Sequence, residues 1–377
     1  MILTGSAERD ALIESAHRLI ADRYDSTGYA DRLRTAETFD QQKWADIAEL
    51  GWLATAVSEE NGGLDLGYSL LSDLTQALAP GLLLEPFLSQ VGLGVPLLDL
   101  ALPERQKDTV LGRLLSGQEI VAFAHHETRT GEYFNEPVGS TFFHQDESFI
   151  LNGCKAVVVD GAIADQLIIS CIAPGTSDVN LFLLPASSTG ISTTRYRSFD
   201  GRNVADIEFI GVKVPLSARL QYSVPMTEVI NEVLGLYALL IASESFGIMQ
   251  TLLKLTHRYL NEREQFGTKI GNFQALQHRL ADMLLATVRT ESLLTLARHQ
   301  CAELGPSGAA AMISALKYQT GIAGAYIAQE SIQMHGAIGM TDEFIVGHFL
   351  KRLTANDFMA GNADEHLSKF IEQRGMY

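Results

Sequence analysis

The chain has 377 residues, 46% hydrophobic and 19% charged, with 28 basic against 45 acidic side chains and a formal net charge of −17. That length suits two or three packed domains better than one core. An acidic excess with no Lys/Arg-rich run excludes a general nucleic-acid role, and no stretch offers the ~18 unbroken apolar residues of a membrane span.

Residues 1–118 read as helices. Ala11, Leu12, Ala16 and Leu19-Ile20 form one stripe at helical spacing, and Trp44, Ile47, Leu50 and Leu53 form another. Asn61-Gly62-Gly63 and Pro80-Gly81 punctuate them. The texture changes near Glu119. Phe149 to Leu151, Asn152-Gly153 and Lys155 to Val159 read as a β-hairpin with a two-residue turn. Apolar runs at 167–170, 181–184, 191–195 and 204–210 extend this to a small sheet or barrel over 119–222. From 223 to 377 the helical period returns. Leu276, Leu280, Met283, Leu284 and Val288 form one expected core stripe, and Met312, Ile313, Leu316 and Tyr326-Ile327 form another. The expectation is an antiparallel bundle of three or four long helices.

Among candidate sites, His125-His126 has no further ligands at metal spacing and reads as ordinary strand polarity, so no metal site is expected. Gly92 and Gly94 lack the rest of a dinucleotide fingerprint. Ser140 and Ser187 sit in no nucleophile elbow. Cys154, Cys171 and Cys301 are far apart and read as buried thiols of a reducing compartment. With Glu8, Arg9 and Asp10 ahead of any apolar run, no signal peptide is expected, and the cytoplasm is the expected location.

Two stretches stand out. In YLNEREQFGTKIGNFQALQHRLADM the apolar pattern stops at Phe266-Gly267 and restarts at Phe273. The break is either a surface turn or a place for something flat and anionic. In QMHGAIGMTDEF, Gln333 ends a helical pattern, and Gly336 and Gly339 permit tight turns or close backbone approach. Thr341 is expected to cap the next helix, with Asp342 and Glu343 in its first turn. Taken singly, each stretch also fits a plain helix–turn–helix.

Taken together, REQFG and QMHGA resemble the acyl-CoA dehydrogenase family, and the resemblance spans nearly the whole chain. It implies an α+β chain: an N-terminal α-helical domain (1–118), a middle β-barrel or sheet domain (119–222) and a C-terminal four-helix bundle (223–377). It implies that Arg263, Gln265, Phe266, Gln274, Gln333, Gly336 and Ala337 grip the adenosine-pyrophosphate half of FAD across a subunit interface. Guanidinium on pyrophosphate is a chemically sensible pairing. The implied reaction is α,β-dehydrogenation of an acyl-CoA thioester to the 2,3-enoyl-CoA. A carboxylate removes the α-proton while the β-hydride passes to the flavin.

The chain departs from the family where that chemistry occurs. The two positions at which members carry the base are Ala360 and Tyr237 here. Glu244 and Asp357 are the nearest fallback acids, and both also read as helix-pairing residues. Of the flavin motif that precedes the strands, HHETRTGEY keeps only Glu127, and NEPVGS (Asn135 to Ser140) sits too close to the next strands to replace it. In Lys155 to Asp160, Val157 and Val159 stand where a Trp and a Thr usually flank the isoalloxazine. AFAH…E, QFG, IQMHGAIGMT and the closing GNADEHL are similar to the small subunits of pimeloyl-CoA and steroid side-chain acyl-CoA dehydrogenases. That similarity implies lipid or steroid catabolism and dicarboxylyl or steroid side-chain acyl-CoA substrates. It implies a catalytic partner chain in an α2β2 assembly, and an electron-transferring flavoprotein as acceptor. The alternative is a self-sufficient homodimer or homotetramer with an unusual base.

Overall fold

The computed structural model describes residues 6–24, 26–35, 38–128 and 138–375. In chain order its helices are α1 (Ser6–Arg23), α2 (Ser26–Arg34), α3 (Gln41–Glu49), α4 (Gly67–Leu78), α5 (Phe87–Ser89), α6 (Val95–Ala101) and α7 (Glu104–Leu115). After the strands come α8 (Met226–Glu262), α9 (Gln274–Gly308), α10 (Ala310–His335), α11 (Ile345–Phe358) and α12 (Ala363–Gln373). The strands between are β1 (Val121–Ala124), β2 (Thr141–Gln145), β3 (Ser148–Val159), β4 (Gln166–Ile172), β5 (Val179–Pro185), β6 (Ile191–Arg197) and β7 (Asn203–Pro215). By compactness the chain forms two units, residues 37–67 with 84–237 and residues 1–36 with 68–83 and 238–377.

The first unit is built on one seven-stranded sheet ordered β1-β4-β2-β3-β7-β6, with β5 also on β4. β4 pairs in parallel with β1 and β2, and the other pairings are antiparallel. Phe142, Phe149 and Phe182 meet edge-on or tilted at 5.0–5.5 Å in its buried face, beside Leu151, Ile169 and Phe209. The edge of β1 is covered from α5 and α6, which a single π turn at Gln90–Gly94 joins. The buried Gln90 amide donates to the carbonyl of Val121 (2.7 Å) and accepts its N–H (3.1 Å), so a side chain stands in for a neighbouring strand. A Cβ on Gly94 would lie 2.5 Å from Val121 Cγ1, so the VGLGVP glycine serves close packing.

The Asn152-Gly153 hairpin does not exist. β3 runs straight through both residues, its register against β7 shifting between Leu151 and Gly153, and the turn lies instead at Asp146, between β2 and β3. An Asn-Gly pair marks a bulge with close backbone approach as readily as a turn. A Cβ on Gly153 would fall on Ser140 Oγ, and Asn152 Oδ1 caps the N–H of Gly211 (2.8 Å). The short strands β1 and β2 gave no separate periodic signal. The expected runs at 167–170, 181–184, 191–195 and 204–210 lie within β4 to β7. Cys171 and Cys301 are buried, whereas Cys154 is exposed.

The second unit holds α1, α2, α4, α8 from residue 238, and α9 to α12. A Cβ on Gly247 would fall on the Gln76 carbonyl, so glycine allows α4 and α8 to touch backbones, and the Ser72 and Ser243 hydroxyls bond there at 2.6 Å. Asp73 receives Arg9 (2.6 Å) and Arg298 (2.7 Å), tying α1 and α9 to α4. Thr341 does not cap α11: that helix starts at Ile345 after Phe344, and the Thr341 hydroxyl bonds back to the Ile338 carbonyl (2.9 Å). The expected core stripe of α9 is corrected as well. Its buried face is Met283, Thr287, Thr290, Leu294, Ala297 and Cys301, while Leu284 and Val288 are 51% and 47% exposed. The helix is apolar on two faces, and the folded chain covers one of them.

Gly153→Ala is expected to destabilise the protein by about 1–3 kcal/mol, the usual cost of overpacking. The Ser140 backbone it would strike is pinned by Glu127 (2.9 Å to the Ser140 N–H). Urea titration compared with Gly112→Ala, whose Cβ meets nothing within 4 Å, checks this.

Candidate functional site

The break at Phe266-Gly267 is a miniature hairpin. β8 (Glu264–Gln265) pairs with β9 (Thr268–Lys269), and both tip residues have positive φ, 54° at Phe266 and 78° at Gly267. That matches a two-residue primed turn. A side chain in that left-handed region costs roughly 1–2 kcal/mol, and Phe266 occupies it while 93% exposed, its ring edge-on to Phe273 with centroids 6.3 Å apart. The Arg263 backbone is fixed by its N–H to the Tyr259 carbonyl and by the Ile270 N–H to its own carbonyl, both 2.9 Å, and its side chain faces solvent.

Seventy residues later, α10 ends beside this hairpin. The Tyr259 hydroxyl donates to the His335 carbonyl (3.3 Å) and the two rings lie 4.4 Å apart. Gly336 then turns the chain at φ 66°, ψ −143°, a region essentially reserved for glycine. A Cβ there would meet nothing within 4 Å, so the backbone is open. Arg263, Gln265, Phe266, Gln274, Gln333, Gly336 and Ala337 are all exposed, and the Tyr259–His335 contact brings their segments to one end of the helical unit. A guanidinium, carboxamides, an open backbone turn and a bare ring suit a planar, anionic ligand such as the adenosine-pyrophosphate end of a dinucleotide.

The two positions at which the resemblance implies a base hold no acid and are buried. Tyr237 is buried. Ala360 is 1% exposed and left-handed, with φ 58°, and its carbonyl accepts from His366 Nε2 at 2.7 Å. Burial, with the nearby Lys317 charge adding to it, pushes His366 down to about 3. The ring is therefore neutral: Nε2 carries the proton, and Nδ1 faces Ser314 Oγ at 3.3 Å. Lys317, itself buried, caps the end of α11 through the carbonyls of Asn356 (2.7 Å) and Met359 (2.8 Å). Neither Lys317 nor His366 gave a sequence signal, because each lies remote from, or irregularly spaced against, what it holds.

Both fallback acids are used in packing. Glu244 Oε1 takes Arg352 Nη1 and Oε2 takes Asn356 Nδ2, each at 2.7 Å, which ties α8 to α11. Asp357 Oδ1 accepts the Ala363 N–H (3.2 Å) and lies against the Gly321 backbone, where burial raises its pKa despite the attraction of Lys317.

In the sheet unit, Glu127 is a clasp. Oε2 takes the Gly139 N–H (2.8 Å), and Oε1 takes the Ser140 N–H (2.9 Å) and Lys155 Nζ (2.7 Å). Burial alone would raise its pKa, but Lys155 and the Ser140 hydrogen bonds outweigh it and lower the pKa. Lys155 also reaches the His125 carbonyl (3.0 Å) and Ser170 Oγ (2.9 Å). His125, just past β1 and stacked on Phe123, is held at about 3 by burial first and by His126 and Lys155 next. Val157 adopts φ 52°, which is costly for a β-branched residue. Its N–H is caught by Asp206 Oδ1 (3.0 Å), which also accepts the Tyr196 hydroxyl (2.8 Å). Residues 129–133 of HHETRTGEY and 135–137 of NEPVGS lie outside the described residues. No cluster of metal-binding side chains occurs among the described residues.

The exposed set at the bundle end suits the adenosine-pyrophosphate. Val157 and Val159, where the resemblance implies a Trp and a Thr, and Ala360, where it implies a base, carry no ring, hydroxyl or acid.

Comparison with known proteins agrees with the architecture. A family model of the acyl-CoA dehydrogenase N-terminal domain matches residues 6–118, and one of the C-terminal domain matches residues 227–374, together well over half of the chain. Isovaleryl-CoA dehydrogenase of Pongo abelii is 27% identical over 85% of this chain and 78% of its own. Among solved structures, PigA with FAD and proline superimposes with a TM-score of 0.90 at 22% identity, covering 100% of both chains. The ChsE4-ChsE5 complex of Mycobacterium tuberculosis does so at 0.88 and 21%, again over 100% of both.

Removing one partner of a buried ion pair typically costs about 3–5 kcal/mol. Glu244→Ala is therefore expected to lower stability by that order, whereas Glu244→Gln, which keeps a hydrogen-bonding acceptor for Arg352, should cost less. Chemical denaturation of both variants distinguishes a packing role from a dispensable one.

Proposed function

The chain belongs to the acyl-CoA dehydrogenase family of oxidoreductases acting on CH–CH bonds, and from that premise we propose that it is the flavin-gripping, catalytically degenerate half of an α2β2 enzyme. The observation that carries this reading is the contrast between an exposed, ready grip at Arg263, Gln265, Phe266, Gln274, Gln333, Gly336 and Ala337 and a sealed, acid-free Ala360. FAD, held at that grip by its adenosine-pyrophosphate, belongs on this reading to a partner chain that supplies the base. In that assembly FAD serves as hydride acceptor. This chain's own residues bind and orient: Arg263 neutralises pyrophosphate, the open turn at Gly336 admits close approach, and Phe266 covers a planar group.

The domains of this reading are 1–118, 119–222 and 223–377. Its substrates are dicarboxylyl or steroid side-chain acyl-CoA thioesters, inferred from the motif similarity to such small subunits. Its acceptor is an electron-transferring flavoprotein, and its compartment the cytoplasm. PigA, whose structure contains FAD, and ChsE4-ChsE5, a complex of two chains, support the cofactor and the heteromeric arrangement by likeness of fold. The competing reading, a self-sufficient homo-oligomer, needs Glu244 or Asp357 as base. The engagement of Glu244 with Arg352 and Asn356 weighs against it.

Arg263→Ala should weaken flavin retention in the assembly ten- to a hundredfold, the equivalent of losing a charge-assisted contact worth about 1.5–3 kcal/mol. Flavin absorbance per assembly after gel filtration measures it, and unchanged content would reduce the hairpin to a surface turn.

The isolated chain, supplied with FAD, should reduce a dye acceptor with a panel of acyl-CoA thioesters at least 10²-fold more slowly than the coexpressed assembly, since general base catalysis typically supplies 10²–10⁴. Rapid turnover by the isolated chain that disappears in Glu244→Gln or Asp357→Asn would promote that acid to catalytic base and end the half-site reading.

A further inference from the structure

His335 is the last residue of α10, directly before the Gly336 turn, and it is 3% exposed. Its Nδ1 lies 2.7 Å from the Ser331 carbonyl. A carbonyl only accepts, so Nδ1 carries the proton and Nε2 keeps a bare lone pair. That Nε2 is buried and has no hydrogen-bond partner among the described residues. The ring centroid lies 4.4 Å from that of Tyr259 on α8 and 5.1 Å from that of Phe344, which precedes α11. The His335 carbonyl takes the Tyr259 hydroxyl (3.3 Å). The chain beyond Gly336 folds back so closely that a Cβ on Gly339 would lie 3.2 Å from His335 Cβ. Ring and carbonyl together therefore fix the peptide that opens the turn.

We propose that His335 is the positioning residue of the Gly336 turn and an acid-sensitive clasp on it. The neutral ring holds the turn in its flavin-gripping shape, and a proton on Nε2 opens it. This rests on the grip reading above. A proton there creates a buried N–H with no acceptor, which disfavours the closed turn. Burial lowers the pKa of His335, against the opposing pull of the Ser331 hydrogen bond. Around the ring, the titratable groups are Tyr259 and, one turn later, the exposed Arg263, with exposed Asp342 and Glu343 ahead of Phe344. On α11, buried His348 gives its Nε2 proton to the Asp342 carbonyl (2.8 Å), and on α10 Glu330 is paired with Arg279. Opening the turn returns the ring toward its ordinary pKa of 6.5. The clasp is therefore at full strength above that value and weakens as pH falls below it. From about pH 7.5 to about pH 5.5 the opening equilibrium should rise roughly three- to tenfold.

Two measurements test this at both pH values. Hydrogen exchange of the Gly336 amide, which is bonded to the Gln333 and Ile332 carbonyls, reads the turn in the full chain alone after correction for intrinsic exchange. Flavin absorbance per coexpressed two-chain assembly after gel filtration reads the consequence. In the wild type, acid should speed that exchange and lower flavin retention by the same roughly three- to tenfold. His335→Phe keeps a ring against Tyr259 and Phe344 but cannot titrate, and His335→Asn keeps a donor near the Nδ1 position. Both variants should lose the pH response of exchange and of retention, whatever their level at neutral pH. The proposal is overturned if wild-type exchange ignores pH, which leaves His335 a packing residue only. It is overturned equally if both variants respond to acid as the wild type does. Failure of the grip reading looks different: exchange then responds to acid through His335 while the flavin content of the assembly does not change.

Discussion

One buried guanidinium organises the helical unit. Arg352, almost without exposure, binds Glu244 on α8 and the carbonyls of Leu82 (3.4 Å) and Leu83 (2.9 Å) after α4, so three segments separated by more than a hundred residues converge on it. Its carbonyl contacts hold Leu82 in a left-handed conformation with φ 47°, which a branched side chain adopts only when its surroundings impose it. Burying such a charge is costly unless every lone pair nearby is used. Here Asn356 donates to the second oxygen of Glu244, so both carboxylate oxygens are engaged. The same geometry makes Glu244 a poor proton acceptor, since a base must first be free to meet its proton.

The loop after α11 follows the same logic with the opposite charge balance. Lys317 and His366 hold the carbonyls of Asn356, Asp357, Met359 and Ala360, and the chain passes through left-handed Ala360 and Gly361 into the capping box of α12, where Asn362 and Glu365 bond reciprocally. The position where the resemblance implies a carboxylate is here a backbone junction held by hydrogen bonds. Carbonyl capping of this kind does not depend on the side chain at 360. The exposed surface proposed to grip flavin shows the reverse. Its side chains are intact and exposed, and its fixed parts are backbone: a primed turn at Phe266-Gly267 and a glycine-only turn at Gly336.

The sheet unit has kept a scaffold around a changed surface. Glu127, the one retained residue of its motif, is committed to Lys155 and to the N–H groups of Gly139 and Ser140, so its persistence is explained by folding alone. Asp206 likewise spends its Oδ1 on the Val157 bulge. Both acids therefore hold the backbone of this unit.

The sequence by itself determined the α, β, α succession and the resemblance to a family, and it named seven candidate grip residues and two positions, 237 and 360, that carry no acid. Each of these is a matter of residue identity at local spacing. Periodicity could not say which face of α9 is covered, because a helix apolar on two sides reads the same whether its second partner is its own chain or another. It could not separate a turn from a bulge at Asn152-Gly153, since both need the same permissive backbone and only the strand opposite decides. Nor could it place Lys317 against the end of α11, or Arg352 between α8 and the exit of α4. Those are contacts between residues tens to hundreds of positions apart, and close packing in three dimensions alone selects them.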